Sequence, residues 1–340
     1  MIEETTDKSI VVWPPTHSLP DKDEGDDGYQ KTNTFRSKSK YWLVWYVLVI
    51  FLLPGMAFGQ VVPDPNFKPP IKNPAYPKGK GPVVLIDEGH FNLHTPTGRY
   101  LPFAKLLKRD GYVVKSQKGT FDSDMLSKGK ILVTVTPLAE QNKDLENMAL
   151  PIYSAFTDEE IEAIRRWVFG GGSLFIITEH MPWAGAVNRL VEVFGVSFSN
   201  GYVNGGRWSR SKGELPDHPI INGRSQDERV DSVSSTTGAA FKGKQPIESL
   251  LVLKQGTVSY ETKRIMEFTP ETPKVPVGGW LRGAVLKYGK GRVAIFAEAS
   301  MFTAQLRGPQ KRPQGMNRPE NKDNVKLLLN IMHWLSGILE

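Results

Sequence analysis

The chain contains no cysteine, and this absence excludes several kinds of chemistry. None of its 340 residues can supply a thiolate nucleophile, a thiolate metal ligand or a disulfide. The Walker A phosphate-binding pattern, the Gly-x-Ser-x-Gly elbow and the His-Glu-x-x-His zinc pattern are missing as well. Any active site must therefore use residues that none of these sequence patterns identifies.

One stretch of the chain lacks charge altogether. No Asp, Glu, Lys or Arg occurs in residues 41–59, and residues 42–53 are continuously apolar. Such a run is typical of a membrane span or a signal peptide, because a helix of a soluble protein keeps a polar face. Basic residues lie closely before the run, and the next one after it is Lys68. This asymmetry predicts that residues 60–340 lie outside the cytoplasm.

The apolar stretch leaves two alternatives open. Ala57-Phe58-Gly59 before Gln60 has the small residues of a signal-peptidase site, which would give a secreted or periplasmic protein. A run of roughly 19 residues is also just long enough for an uncleaved membrane anchor. Under both alternatives the predicted localisation is the cell envelope. The polar, charge-rich residues 1–40 are predicted to be a disordered tail, and the proline-rich residues 60–81 an extended spacer.

The charge of the chain bears on its partners. The formal net charge is +7, but Lys and Arg are spread along the sequence without an aromatic-interleaved basic stripe. Nucleic acid is therefore not expected as a partner. The membrane, through residues 41–59, is the first predicted partner, and an envelope protein or a small ligand is the second.

Strand patterns begin after residue 82. Short apolar runs rich in β-branched residues predict strands that begin at Val83, Tyr112, Lys130 and Ser173. Two later runs, joined by Gly289-Lys290-Gly291, predict a β-hairpin. Residues 196–283 have a weaker pattern and are predicted to be an insertion of short strands and loops that could form a lid or a rim.

Helical patterns alternate with these strands. Amphipathic spacing predicts helices at 99–108 and 323–339, and another that follows the capping box Thr157-Asp158-Glu159-Glu160 and stops at Gly170-Gly171-Gly172. This alternation predicts an α/β domain over residues 82–340, with a doubly wound, mostly parallel sheet.

Three short phrases carry a family resemblance: 87–92 (Asp-Glu-Gly-His-Phe-Asn), 178–182 (Thr-Glu-His-Met-Pro) and 298–302 (Glu-Ala-Ser-Met-Phe). With them, residues 82–340 resemble the glutamine-amidotransferase-like, flavodoxin-related domain of exported or membrane-anchored bacterial proteins. The region is similar to the domain of gliding-motility and ABC-transporter auxiliary proteins and of an intraflagellar-transport subunit. Catalytic amidotransferases of this fold carry a Cys at a strand-to-helix elbow. This chain has none, so the resemblance implies a fold and no glutaminase activity.

Polar side chains follow three of the predicted strands, at the edge where open α/β sheets bind ligands. The candidates for catalysis are Glu88, His90, Glu179 and His180. The candidates for ligand binding are Asn92, Glu298, Ser300 and Asn317. If the first and fourth strands are neighbours, these groups share one rim of the sheet.

The chemistry of these candidates leaves alternatives open. Two imidazoles and a carboxylate, His90, His180 and Glu298, could hold a divalent metal, although no cofactor is the leading expectation. The groups could instead act as hydrogen-bonded caps. The leading functional prediction is a ligand- or partner-binding module, and the alternatives are an extracytoplasmic hydrolase and a non-catalytic scaffold. His333, inside the last amphipathic helix, is predicted to be a core histidine.

Overall fold

A computed structural model describes residues 61–244 and 246–340. The predicted disordered tail (1–40) and the predicted anchor or signal peptide (41–59) lie outside the described residues. Within the described ranges, no helix combines the length and the apolar character that a membrane span requires.

The described residues form eighteen β-strands. They are β1 (Val61–Pro63), β2 (Val83–Asp87), β3 (Val113–Gln117), β4 (Ile131–Val135), β5 (Ser173–Ile177), β6 (Val196–Phe198), β7 (Tyr202–Asn204), β8 (Arg207–Ser209), β9 (Ser232–Ser234), β10 (Thr237–Gly238), β11 (Phe241–Gly243), β12 (Glu248–Val252), β13 (Val258–Tyr260), β14 (Lys274–Pro276), β15 (Leu281–Tyr288), β16 (Gly291–Phe296), β17 (Ala304–Arg307) and β18 (Arg312–Gly315). The α-helices are α1 (Leu101–Arg109), α2 (Ser123–Leu126), α3 (Asp158–Phe169), α4 (Trp183–Glu192), α5 (Pro219–Asn222) and α6 (Lys322–Leu335).

A nine-stranded sheet forms the centre of the domain. Its order is β3-β2-β4-β5-β16-β15-β11-β6, and β12 also pairs with β15. The first five of these strands are parallel, whereas β15, β12, β11 and β6 pair antiparallel. The predicted α/β class with a mostly parallel central sheet is confirmed, and so is the hairpin of β15 and β16.

The two sides of the sheet bury different sets of side chains. Val84 and Ile86 of β2 pack with α1 and α6, whereas Leu85 packs with α3 and α4. This alternation is expected because successive residues of a strand point to opposite sides. Residues at odd and even positions of a strand therefore face opposite sides of the sheet.

The first and fourth predicted strands, β2 and β5, are not neighbours in the sheet. Strand β4 lies between β2 and β5, and the other neighbour of β5 is β16. The apolar pattern of a strand shows that it is buried, but the lateral order depends on where each crossover helix returns the chain. The carboxyl ends of β5 and β16 are therefore adjacent.

Part of the predicted spacer is packed on the domain. Strand β1 pairs antiparallel with β17, and Phe67, Ile71 and Tyr76 contact the core on the α1 and α6 side. The backbone N–H groups of Ala75 and Tyr76 both donate to Asp110, at 2.8 and 3.2 Å. Proline favours an extended backbone, and the apolar side chains between the prolines pack on the domain.

Residues 196–283 extend and flank the main sheet. Strands β6, β11 and β12 belong to it, while β7, β10, β13 and β14 form a separate four-stranded sheet. Residues 203–204 of β7 bond to Arg282, and residue 236, just before β10, bonds to Glu298, so both segments lie close to the carboxyl ends of β5 and β16.

Candidate functional site

Two buried glutamates lie side by side at the carboxyl edge of the sheet. Ile177, the last residue of β5, is paired with Phe296, the last residue of β16. Glu179 and Glu298 each follow two residues later, and the N–H of Thr178 extends the ladder by donating to the carbonyl of Phe296 at 2.9 Å. The two glutamates thus occupy equivalent positions on adjacent parallel strands. We call them the carboxylate pair.

The two carboxyl groups differ in their hydrogen bonds. Glu298 is completely buried and accepts from the Ser300 hydroxyl and from the N–H of Met301, the latter at 3.0 Å. Glu179 accepts from the N–H of Ala299. Its Oε1 is buried and has no hydrogen-bond partner among the described residues. Glu179 is 9% exposed, whereas Glu298 is not exposed.

A buried arginine supplies the positive charge beside the carboxylate pair. Arg282 lies in β15 and donates to the carbonyls of Ala297, Val203 and Asn204, at 3.4, 3.4 and 2.9 Å. Burial lowers the pKa of Arg282 to about 10, which leaves the guanidinium charged at neutral pH. The carbonyl dipoles and the two carboxyl groups are its counterparts.

Burial raises the pKa of both members of the carboxylate pair. Burial, and then the charge of Glu298, raise the pKa of Glu179 well above its usual value. Burial also raises the pKa of Glu298 to about 7, although the Ser300 hydroxyl and Arg282 oppose that increase. Two carboxyl groups thus face one guanidinium in a region of low dielectric, and the pair retains a proton near neutral pH.

Aromatic rings flank this cluster. The ring of His180 stacks on Tyr202 with centroids 4.0 Å apart, and its Nδ1 lies 2.7 Å from the carbonyl of Met181. Burial lowers the pKa of His180 to about 4, so its imidazole is neutral at pH 7. Trp183 packs edge-on against His180, and its Nε1 is buried without a partner among the described residues. His180 therefore contributes a ring surface rather than a charge.

His90 belongs to a different cluster. Its Nδ1 lies 2.9 Å from Asp87 Oδ1 and its Nε2 lies 3.0 Å from Glu160 Oε1. The ring also packs between Phe121 and Phe156, with centroid separations of 4.6 and 4.7 Å. Glu160 is in α3, so this cluster lies on the α3 side of the sheet, whereas Ile177 and Phe296 pack on the other side. We call Asp87, His90 and Glu160 the histidine clamp.

The charge state of the histidine clamp follows from its partners. Burial opposes a charge on His90, but the hydrogen bonds and charges of Asp87 and Glu160 outweigh it and raise the pKa of His90 to about 9. Both ring nitrogens are engaged, so His90 has no free nitrogen for a base or for a metal. The hydrogen-bonded structural role, which was the alternative to catalysis, accounts for these contacts.

The divalent-metal alternative is not supported by the donor geometry. His90 is held in the clamp, and His180 and Glu298 lie elsewhere at the edge. Across residues 61–244 and 246–340, no group of three His, Asp or Glu side chains is arranged to hold a metal ion.

Glu88 and Asn92 follow β2 and lie near the histidine clamp. Glu88 accepts from the hydroxyls of Thr97 and Ser116 at the rim. Asn92 donates to Asp87 Oδ2 at 3.0 Å and supports the clamp. Neither residue contacts the carboxylate pair.

Asn317 and Ser300 have separate positions. Asn317 donates to Asp64 Oδ2 and to the carbonyl of Gln305, at 3.1 and 3.0 Å, and so ties β1 to β17. It does not reach the carboxylate pair. Of the predicted ligand-binding residues, Glu298 and Ser300 are therefore brought together with Glu179, and Asn92 and Asn317 are not.

Two members of the site, Arg282 and Tyr100, were not predicted from the sequence. Arg282 lies among the apolar residues at the start of β15, and a charged residue in that position could have indicated a functional role. Tyr100 is completely buried and donates its hydroxyl to the carbonyl of Ala299 at 2.8 Å. Nothing in the local sequence of Tyr100 indicates a partner 199 residues away.

Comparison with known proteins supports the fold and little more. The chain is similar to the N-terminal domain of mmIFT52, with a TM-score of 0.51 and 15% identity over 75% of this chain and 97% of that domain. A cytoplasmic protein of Salmonella typhimurium matches with a TM-score of 0.43 and 14% identity over 75% of this chain and 98% of its own. A ThuA-like protein from Bacteroides uniformis matches with a TM-score of 0.41 and 12% identity, over 79% and 94%.

No protein-family model and no curated protein sequence matches the chain. At the identities of the structural matches, the likeness concerns the fold alone. The likeness to the mmIFT52 domain is consistent with the predicted fold, whereas export and a relation to gliding motility have no support from a sequence family.

Proposed function

We propose that this domain is a binding module whose ligand contacts the carboxylate pair at the carboxyl edge of the sheet. The observation that carries the proposal is Glu179 Oε1, a buried carboxyl oxygen without a hydrogen-bond partner among the described residues, beside a second buried carboxyl group. An unpaired buried polar atom costs free energy. A hydrogen bond from a ligand to this atom would remove that cost.

The protonation of the pair indicates the ligand chemistry. Because the pair retains a proton near neutral pH, Glu179 can donate or accept a hydrogen bond as the proton moves. A hydroxyl group can do both, so it satisfies Glu179 in either state. The neighbouring rings of His180 and Tyr202 add a flat surface for the apolar face of such a molecule. A small polyhydroxylated ligand fits these groups.

Substitution of Glu179 tests this proposal. Binding of myo-inositol and D-glucose to the full chain in detergent is measured by calorimetry. We expect Glu179→Gln to weaken the binding of any probe that binds by about tenfold or more, because the amide fixes one donor and one acceptor. Glu88→Gln is the matched control, since Glu88 bonds Thr97 and Ser116 at the rim. Equal losses in both variants, or no binding to the wild type, would contradict the proposal.

Acid–base catalysis is the second candidate, and the pKa of Glu298 near 7 favours it. Here Glu179, the more exposed member, would transfer a proton to the substrate and Glu298 would exchange that proton with Glu179, in place of the set Glu88, His90, Glu179 and His180. Hydrolysis of p-nitrophenyl esters or glycosides that is lost in Glu298→Gln, with binding retained, would distinguish a hydrolase from a binding module. A domain that neither binds nor hydrolyses would be left with the scaffold role.

We also propose that the domain works at the cell envelope, with the membrane as a partner through residues 41–59. The support is the charge asymmetry around that apolar stretch. A reporter fused after Glu340 should therefore be active only outside the cytoplasm. Reporter activity in the cytoplasm would refute this orientation. Release of a soluble form that begins at Gln60 would identify cleavage, and retention of the intact chain in the membrane would identify an anchor.

A further inference from the structure

The hairpin of β17 and β18 ends in a cluster of positive charge. Its turn is closed by the N–H of Lys311, which donates to the carbonyl of Gly308 at 3.0 Å. Arg307, Lys311 and Arg312 lie at this end of the hairpin, and all three are exposed. We call these three residues the basic tip. Residues 301–319 contain no Asp or Glu, so the hairpin itself supplies no charge that balances the basic tip.

The register of the hairpin places two of these charges next to each other. Arg307 and Arg312 are direct cross-strand partners. Side chains at such positions share one face of the sheet, and like charges there repel each other and destabilise the pairing. Across residues 61–244 and 246–340, no ion pair involves the basic tip, and the next ion pair along the chain joins Arg318 to Glu320. An anion bound between the two arginines would remove the repulsion.

The first described strand enters the domain beside the basic tip. Val61, the first residue of β1, is the cross-strand partner of Arg307 on the other side of β17. Because β1 and β17 are antiparallel, the chain that precedes Val61 approaches from the end of the hairpin that carries the basic tip. Residues 41–59 are the predicted membrane segment, and only Gln60 separates them from Val61.

This short connection limits the distance between the basic tip and a membrane. Two residues of fully extended chain span at most about 7 Å. The backbone of Arg307 lies one strand spacing from Val61, about 4.8 Å. Electrostatic attraction at physiological ionic strength extends over about 8 Å before salt screens it, and a long arginine side chain shortens the gap further. A bilayer that holds residues 41–59 therefore brings its phosphate groups within reach of the basic tip.

We propose that the basic tip contacts the headgroups of anionic phospholipids in the membrane from which the chain emerges. This inference rests on the proposed membrane segment and adds a second, electrostatic contact to it. An arginine on each strand can donate to the oxygens of one phosphate, and Lys311 adds a further positive charge. A soluble anion would meet the same charges, but the bilayer holds its phosphates at a high effective concentration beside Val61.

The absence of cysteine makes a direct test possible. Gln310→Cys places a single thiol in the exposed turn, so a fluorophore attached to it is the only label on the chain. The labelled full chain is reconstituted into phosphatidylcholine vesicles with or without phosphatidylglycerol, which is anionic. A nitroxide on a lipid headgroup quenches the fluorophore only at close contact. We expect stronger quenching in the vesicles that contain phosphatidylglycerol.

Removal of the charge tests the cause of that contact. The test variant replaces all three residues of the basic tip by glutamine. Each basic residue near an anionic surface strengthens binding about fivefold, so this variant should lose the extra quenching that phosphatidylglycerol causes. The control variant removes the same number of exposed positive charges at the amino edge of the main sheet: Lys128→Gln, Lys287→Gln and Lys290→Gln. It should keep the extra quenching.

Flotation of the chain with the vesicles is measured alongside the quenching, because it tests the membrane segment by itself. A chain that floats but shows equal quenching with and without phosphatidylglycerol, or the same extra quenching in wild type and tip variant, would overturn the contact and leave the membrane segment in place. A chain that does not float would overturn both. Soluble glycerol phosphate, added at constant ionic strength, should not remove the extra quenching. Its removal would identify a site for a free anion and overturn the lipid contact.

Discussion

His90→Ala is expected to lower the free energy of unfolding by about 3 to 5 kcal/mol at neutral pH. The substitution removes the cation between Asp87 and Glu160 and leaves two buried carboxylates without a positive charge between them. It also leaves a cavity between the rings of Phe121 and Phe156. Denaturation by urea, with linear extrapolation to water, measures this loss. A loss below about 1 kcal/mol would be typical of a surface position and would contradict the clamp.

The pH dependence of stability identifies the cause of that loss. The pKa of His90 is about 9 in the folded chain, against 6.5 for a free histidine. A raised pKa means that the folded state binds the proton more tightly. The stabilisation is therefore complete below about pH 6.5 and is lost as the pH rises through 9, by about 3 kcal/mol in total. This decline should be absent from His90→Ala, and an identical slope in wild type and variant between these pH values would rule the mechanism out.

Glu298→Gln is expected to stabilise the domain by about 2 to 3 kcal/mol at pH 8 and to have little effect at pH 4.5. The pKa of Glu298 is raised from 4.5 to about 7 by burial. Because the folded state holds this proton more tightly, its stabilisation is present below pH 4.5 and is lost as the pH rises through 7. Glutamine stays uncharged over the whole range, so the variant avoids that loss.

Urea denaturation of the wild type and Glu298→Gln at a series of pH values measures this difference. Glu88→Gln is again the control, because its carboxyl group lies at the rim, and it should show no gain that grows with pH. If Glu298→Gln destabilises the domain at pH 8, the carboxyl group of Glu298 is ionised there at no cost. The burial argument for the carboxylate pair would then be wrong.

Local patterns predicted the elements of the fold but not their arrangement. The apolar runs that begin at Val83 and Ser173 form β2 and β5, and the capping box at Thr157 begins α3. These features depend on neighbouring residues and can be seen in the sequence. The insertion of β4 between β2 and β5 depends on contacts far apart in the chain. The short-range signal contains no information about such contacts.

The candidate site shows the same division. Glu179 and Glu298 were predicted because each closely follows a buried strand, and equivalent positions on adjacent strands bring them together. His90 also follows a strand closely, but its partner Glu160 is 70 residues away, on the opposite side of the sheet from Ile177 and Phe296. Whether a polar residue faces a ligand or a distant carboxylate cannot be deduced from its own strand.

The most direct test of the carboxylate pair is a ¹³C NMR titration of the glutamate carboxyl groups in the full chain. We predict that one carboxyl resonance titrates near pH 7, as the pKa of Glu298 requires, and that it disappears in Glu298→Gln. Addition of a hydroxyl ligand that binds should shift this midpoint, since the ligand contacts Glu179 beside it. Glutamate resonances that all titrate below about pH 5, close to the free value, would contradict the pair as a protonated binding site.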